Sequence, residues 1–167
     1  MSAKNDLPVG EPACLPNRFN TNLRQRILVV EDEATIRKLN ASVLACSGYE
    51  VDTAEDGAAA WEALQQNHYD LVITDNDIPN VTGVELIQKI QGSRRDMPVI
   101  MATGSLPDEE IGFNPSLQPA VTLLKPYAFE DLLAAVKAVL RLSADANGRL
   151  APPPNWQHPS LATRLQS

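Results

Sequence analysis

The feature that most constrains the fold is a regular alternation of short apolar runs with longer amphipathic segments. The run at 26–30 is followed by apolar residues at helical spacing, namely Ile36, Leu39, Val43 and Cys46. Four further apolar runs lie at 50–54, 71–74, 97–101 and 120–124. Strands that alternate with helices in this way predict an α/β fold, in which helices cover both faces of a five-stranded parallel sheet.

The predicted helices carry start and stop signals. Gly48 stands where the C-cap of the first helix is expected, and the Thr-Gly-Val-Glu sequence at 82–85 predicts a capping box. Tyr127 is expected to pack, with Phe129, where the last helix begins. That helix is predicted from an apolar stripe formed by Phe129, Leu132, Leu133, Val136 and Leu140.

Length and composition favour one domain with a tail at each end. A chain of 167 residues with 44% hydrophobic content can bury a full core, and the periodic pattern covers 25–141. Residues 1–24 and 142–167 are rich in proline and polar residues, so we expect mobile tails there. No apolar run is typical of a membrane span or a signal peptide, and we expect a soluble, cytoplasmic protein without membrane insertion.

The charge distribution argues against direct DNA binding. The chain has a net charge of -7, and residues 25–141 hold 9 Lys and Arg against 18 Asp and Glu, a net charge of -9. Phosphate contacts need Lys and Arg, so an acidic domain is a poor nucleic-acid binder. The residues after Leu142 are also too few and too rich in proline for a DNA-binding domain.

Polar side chains follow four of the apolar runs, at the point where each predicted strand ends. The carboxyl ends of parallel strands lie at one edge of the sheet, where ligand sites form, so we expect these side chains to share one crevice. They are Glu31 and Asp32 after the first strand, Asp75 and Asp77 after the third, Thr103 and Ser105 after the fourth, and Lys125 after the fifth.

The chemistry of this group of side chains indicates phosphoryl transfer. Carboxylates this close together repel one another, so the cluster needs raised pKa values or a bound cation. Mg²⁺ prefers oxygen ligands and commonly binds one or two carboxylates, water and a phosphate oxygen. Lys125 and Thr103 supply the charge and the hydrogen bond that phosphoryl oxygens need. An aspartate in such a site can accept a phosphoryl group as a nucleophile.

Four motifs in this order resemble the receiver domain of two-component response regulators, of the stand-alone type. They are "VVED" at 29–32, "DNDIPNVTG" at 75–83, "MATGS" at 101–105 and "LLKPY" at 123–127. The resemblance covers 25–141 and implies a flavodoxin-like, doubly wound (βα)5 fold with strand order 2-1-3-4-5. It implies a phosphorelay signalling domain, which at most catalyses its own phosphorylation and slow autodephosphorylation.

The resemblance also implies partners and a role for each matching residue. The phosphoryl donor would be a sensor histidine kinase or a phosphotransfer protein, the target an unidentified downstream protein, and a second copy of the chain is a candidate partner in a homodimer. The matching residues are Asp75 as the phosphoacceptor and a metal ligand, Glu31 and Asp32 as the acidic pair that holds Mg²⁺, Asp77 as the donor of a backbone carbonyl to the metal, Thr103 as the switch hydroxyl, and Lys125, before a cis bond to Pro126, as the phosphate-contacting lysine.

Two departures from the family pattern concern the output of the signal. The family has an aromatic residue three positions before the lysine, and Thr122 stands there. Between the fourth and fifth strands, Pro107 opens a helix that Gly112 and Pro115 close within about two turns, so this helix should be short or irregular. The usual output surface includes that helix.

Two other functions fit parts of the pattern. The D-x-D sequence at 75–77 also matches haloacid-dehalogenase-type phosphohydrolases, but there it follows the first strand, and Pro79 stands where that family has Thr or Val. A receiver-like interaction module that accepts no phosphate is the second alternative, which Thr122 keeps open. Each residue alone has an ordinary explanation, such as a helix cap for Asp32 or a solvated charge for Lys125, and it is their combination that favours a phosphoacceptor site.

Overall fold

The structure, a computed structural model, describes residues 24–93, 96–104 and 119–146. The predicted short helix between the fourth and fifth strands and nearly all of both predicted tails lie outside the described residues. The strands are β1 (Arg26–Val30), β2 (Glu50–Ala54), β3 (Leu71–Thr74), β4 (Val99–Thr103) and β5 (Val121–Leu124). The helices of the described residues are α1 (Ala34–Cys46), α2 (Gly57–Gln66), α3 (Gly83–Gly92) and α4 (Phe129–Ala146).

The strands form one parallel sheet in the order β2-β1-β3-β4-β5, which confirms the predicted doubly wound, flavodoxin-like topology. Strand β1 pairs with β2 on one side and β3 on the other, and Val30 lies opposite both Ala54 and Thr74. The order of the strands reverses beside β1, so the loops that follow β1 and β3 border the crevice in which such folds bind ligands.

Two hydrophobic layers cover the sheet because successive strand residues point to opposite faces. On one face, Leu28 and Val30 of β1 pack in a cluster with residues of α2 and α3. On the other face, Ile27 and Val29 pack in a cluster with residues of α1 and α4. All residues of β3 and β4 are buried, as expected for the central strands of a parallel sheet.

The capping signals are confirmed. Thr82 and Glu85 form the predicted capping box at the start of α3, and Gly48 follows the end of α1 with a positive φ of 97°. Glycine adopts this left-handed conformation without steric cost. The buried stripe of α4 is also largely as predicted, since Leu132 and Val136 are fully buried, whereas Phe129 is 42% exposed.

The predicted buried face of α1 is wrong at two of its four positions, since Ile36 and Val43 are half-buried. Leu39 is 48% exposed and Cys46 is exposed, whereas the buried residues of this helix are Asn40 and Leu44. The reason is a polar contact: the side-chain amide of Asn40 donates a hydrogen bond of 3.1 Å to the hydroxyl of Tyr127. A buried amide is tolerated only with such a partner, and the partner is remote in sequence.

No helix within the described ranges is both long and apolar enough to cross a membrane.

The start of α3 packs directly on the backbone that follows β3. A Cβ atom placed on Gly83 would lie 2.5 Å from the carbonyl oxygen of Asp75 and 2.9 Å from the Cα atom of Asn76. Backbone atoms cannot rotate away as a side chain can, so a larger residue would separate α3 from this loop. Gly92, in the same helix, has no atom within 4 Å of the corresponding position.

We expect Gly83→Ala to lower the free energy of unfolding by about 1–3 kcal/mol, the usual range for overpacking. Gly92→Ala is the matched control and should leave stability unchanged or raise it, since alanine is the better helix former. Urea unfolding of both variants checks this. Equal stabilities of the two variants would contradict the close packing at Gly83.

Candidate functional site

The ends of the strands bring the predicted site residues to one edge of the sheet. The backbone N–H of Asp75 donates to the carbonyl of Val30, which ties the end of β3 to the end of β1. The N–H of Lys125 donates to the carbonyl of Thr103, which ties the end of β5 to the end of β4. The sheet itself therefore sets the separation of the site residues.

The centre of the site is an ion-pair bridge. The ammonium nitrogen of Lys125 lies 2.6 Å from Oδ2 of Asp75 and 2.8 Å from Oε2 of Glu31. Both carboxylates are nearly buried, with Glu31 3% and Asp75 8% exposed. Charge-assisted hydrogen bonds of this kind are short and strong, and they satisfy carboxylates that have lost much of their water.

The bridge leaves an excess of negative charge. Ligand oxygens of Glu31, Asp32 and Asp75 all lie within 4.8 Å of one another, and among the described residues Lys125 is the one cation that forms an ion pair with these carboxylates. A set of three carboxylates is a suitable ligand set for a hard divalent cation. The side chains present therefore fit a Mg²⁺ ion, and Asp32, which is exposed, offers its oxygens at the open side of the crevice.

The pKa values reflect this arrangement. Burial raises the pKa of the Glu31 carboxyl above its usual value, although its hydrogen bond with Lys125 acts in the opposite direction. Burial alone would lower the pKa of the Lys125 ammonium, but the hydrogen bonds to Asp75 and Glu31 outweigh it and raise that pKa. Lys125 therefore stays charged throughout the neutral range.

Asp77 and Asn76, which follow Asp75, form hydrogen bonds that fix the backbone of the loop after β3. Oδ1 of Asp75 accepts a hydrogen bond of 3.1 Å from the N–H of Asp77, and the side chain of Asp77 is exposed. Asn76 contacts the start of α3 twice, because its carbonyl accepts from the N–H of Gly83 and its Oδ1 accepts from the N–H of Val84.

Thr103 and Thr122 lie where the sequence predicts them. Thr103 is fully buried at the end of β4, and Thr122 lies in β5 opposite Met101. Ser105 lies outside the described residues. The Lys125–Pro126 bond is cis, as the family pattern implies. Tyr127 packs against the hydrophobic cluster between the sheet, α1 and α4.

Sequence reasoning missed two sets of residues beside the site. Arg37 in α1 donates from Nη1 to the carbonyl oxygens of Glu31 and Asp32, at 2.6 and 3.1 Å. Asn40 and Tyr127 form the hydrogen bond that ties α1 to the loop after Lys125. Contacts to backbone carbonyls leave no pattern in a sequence, and the Asn40–Tyr127 pair is visible only once the sheet order is known.

Comparison with known proteins identifies the family. The family model of the response regulator receiver domain matches residues 27–137, about two thirds of the chain. This chain belongs to the response regulator receiver domain family.

Curated relatives of the receiver domain are longer proteins. Response regulator MprA from Mycobacterium sp. (strain KMS) is 31% identical over 129 residues, which cover 76% of this chain and 55% of that protein. The uncharacterized transcriptional regulatory protein YkoG from Bacillus subtilis is 33% identical over 117 residues, or 69% of this chain and 50% of that protein. The chain thus spans about half the length of these relatives.

Solved receiver structures share the fold over nearly their whole length. A CheY-like receiver domain protein from Methanospirillum hungatei has a TM-score of 0.70 at 27% identity, covering 74% of this chain and 99% of that one. Response regulator protein TrrA from Thermotoga maritima, solved in complex with Mg²⁺-BeF, has a TM-score of 0.62 at 34% identity, covering 69% of this chain and 98% of that one. These matches give no support to the phosphohydrolase alternative.

We expect Lys125→Met to destabilise the receiver domain at neutral pH, because Glu31 and Asp75 would lose their shared cation. The loss should be about 1–3 kcal/mol, below the range for fully buried pairs, since the Lys125 side chain is 22% exposed and therefore partly screened. The loss should shrink as the pH falls through the raised pKa of Glu31, because a protonated carboxyl no longer requires a cation. Urea unfolding at a series of pH values measures this.

Lys137→Met, which removes an exposed lysine from α4, is the matched control and should show no such pH-dependent loss. The Lys125 variant should also bind Mg²⁺ more tightly than wild type in a calorimetric titration, because no ammonium competes for the carboxylate oxygens. An unchanged stability together with an unchanged Mg²⁺ affinity would show that the bridge carries little energy in solution.

Proposed function

We propose that Asp75 is the phosphoacceptor of this receiver domain and that it takes its phosphoryl group from a phosphohistidine of a sensor histidine kinase or a phosphotransfer protein. The observation that supports this most strongly is the bridge of Lys125 to Asp75 and Glu31, with Asp32 beside it. This arrangement supports the proposal because phosphoryl transfer would need a carboxylate, a cation and further oxygen ligands for a metal close together.

Each side chain has a distinct part in the reaction. An oxygen of the Asp75 carboxylate forms the new bond to phosphorus while the bond from phosphorus to the histidine nitrogen breaks. Lys125, freed from one carboxylate oxygen, neutralises charge on the transferred group. Thr103, at the end of the adjacent strand, provides a hydroxyl for a phosphoryl oxygen. Glu31, Asp32, the Asp75 carboxylate and the backbone carbonyl of Asp77 would hold Mg²⁺, which when bound supplies positive charge to the phosphoryl oxygens.

The output of this domain is proposed to be a change in protein binding. We propose a signalling domain that at most catalyses its own phosphorylation and slow autodephosphorylation, acting in the cytoplasm on a downstream protein or on a second copy of itself. We propose that the domain does not contact DNA directly, because residues 25–141 carry a net charge of -9, which DNA phosphates would repel. Thr122 stands in place of the usual aromatic residue and leaves one alternative, a receiver that binds partners without accepting phosphate. Treatment with acetyl phosphate distinguishes the two functions.

Acetyl phosphate with Mg²⁺ should label wild-type protein with one phosphoryl group and leave Asp75→Asn unlabelled, because an amide cannot act as the acceptor. Intact-protein mass spectrometry gives the extent of labelling, and excess chelator should abolish it. Asp77→Asn is the matched control two residues away and should still be labelled. Failure of the wild type to take up label would favour the interaction module, and undiminished labelling of Asp75→Asn would refute the assignment of Asp75.

Asp77→Asn should weaken Mg²⁺ binding severalfold and change the rate at which the phosphoryl group is lost. The Asp77 side chain is exposed beside Asp75, so its charge attracts the metal and repels the phosphorylated aspartate. At a separation of roughly 5–8 Å with an effective dielectric near 20, either effect is about 2–3 kcal/mol before screening. Calorimetry and the decay of the labelled protein measure the two quantities.

Asp96→Asn makes the same change of charge at the opposite edge of the sheet, before β4, and should leave both quantities as in wild type. If Asp77→Asn also matched wild type in both measurements, Asp77 would be a solvated turn residue with no part in the chemistry.

A further inference from the structure

The turn between β1 and α1 has an unusual arrangement of charge. The N-cap residue of α1 is Glu33, whose side chain makes no capping hydrogen bond, and the first turn contains no acidic residue. It contains a cation instead, because Arg37 is the fourth residue of the helix. A positive charge near a helix N-terminus is opposed by the helix dipole, so contacts specific to Arg37 must compensate.

Those contacts fix the backbone on both sides of Asp32. Nη1 of Arg37 lies 2.6 Å from the carbonyl oxygen of Glu31 and 3.1 Å from the carbonyl oxygen of Asp32. These two carbonyls belong to the peptide groups that flank the Cα atom of Asp32. Because a peptide group is planar, fixing both groups fixes the two backbone dihedral angles between them. The direction of the Asp32 Cα–Cβ bond follows from those angles.

Within the described residues, the side chain of Asp32 has no support besides this backbone. It is exposed, and no hydrogen bond or ion pair within the described residues holds its carboxylate. Glu31 and Asp75, by contrast, are held by Lys125. Within the described structure, the backbone alone therefore orients the Asp32 carboxylate toward the carboxylates of Glu31 and Asp75.

We propose that Arg37 is a positioning residue for the metal site: it holds the turn after β1 so that Asp32 completes the set of carboxylates with Glu31 and Asp75. The proposal rests on the proposed function, since it concerns the Mg²⁺ site of the phosphoacceptor crevice. Arg37 acts through Asp32 and contacts neither the metal nor the phosphoryl group.

The sign of the effect on Mg²⁺ affinity separates this role from a simple charge effect. If Arg37 acted only as a nearby positive charge, its removal would reduce repulsion and tighten Mg²⁺ binding. If Arg37 positions Asp32, its removal loosens one ligand and weakens binding. Residues that orient metal ligands typically contribute 10–100-fold in affinity, and we expect about tenfold here because Asp32 is exposed.

The experiment is a calorimetric Mg²⁺ titration of the full chain without any phosphoryl donor. Arg37→Met should bind Mg²⁺ about tenfold more weakly than wild type. Lys38→Met, which removes the same charge from the next, exposed residue of α1, should match wild type or bind slightly more tightly. Thermal melting of each metal-free variant ensures that titrations are made on folded protein, and Arg37→Gln serves if Arg37→Met does not fold.

A double-mutant cycle tests whether Arg37 acts through Asp32. In an Asp32→Asn background, Arg37→Met should change Mg²⁺ affinity by less than about twofold, because the ligand that it positions has already been weakened. Full additivity of the two substitutions, or an affinity of Arg37→Met that equals or exceeds that of wild type, would overturn the positioning role alone. Absence of measurable Mg²⁺ binding by the wild type would refute the metal site, and the positioning role with it.

Discussion

The contact of one ammonium group with two nearly buried carboxylates is the constraint on which the site depends. Glu31 and Asp75 follow the adjacent strands β1 and β3, so the sheet brings them together, and Lys125 follows β5 on the far side of β4. Without a cation, two carboxylates at this distance and burial would favour protonation of one of them. The fold therefore prepares a site that is only partly neutralised, which is the condition under which a divalent cation binds well.

The sequence predicts the sheet and most of the site because both depend on short-range patterns. Apolar runs of strand length and the polar residues that end them place Asp75, Glu31 and Lys125 at one edge once the strands are taken as parallel. Three strands have the predicted bounds, β5 begins one residue later, and β4 shifts by two residues because it begins at Val99 after Pro98 rather than at Met97. Proline has no N–H to donate to a neighbouring strand.

The errors and omissions come from contacts that no local pattern encodes. The buried face of α1 was misplaced because Asn40 is buried through a bond to Tyr127, which is 87 residues away. Arg37 was missed because its partners are backbone carbonyls, which every residue has. In both cases a polar residue of α1 reaches a loop at the sheet edge, so α1 is attached to the crevice by specific bonds as well as by hydrophobic packing.

Because Gly83 has no side chain, the two sides of Asp75 differ in how closely they are packed. On the side of α3, a Cβ atom on Gly83 would overlap the loop backbone, and Asn76 joins loop and helix through two hydrogen bonds. On the opposite side the neighbour of Asp75 is the flexible, partly exposed side chain of Lys125. A larger group at Asp75 would therefore face closely packed backbone on the α3 side and a side chain that can change its rotamer on the Lys125 side.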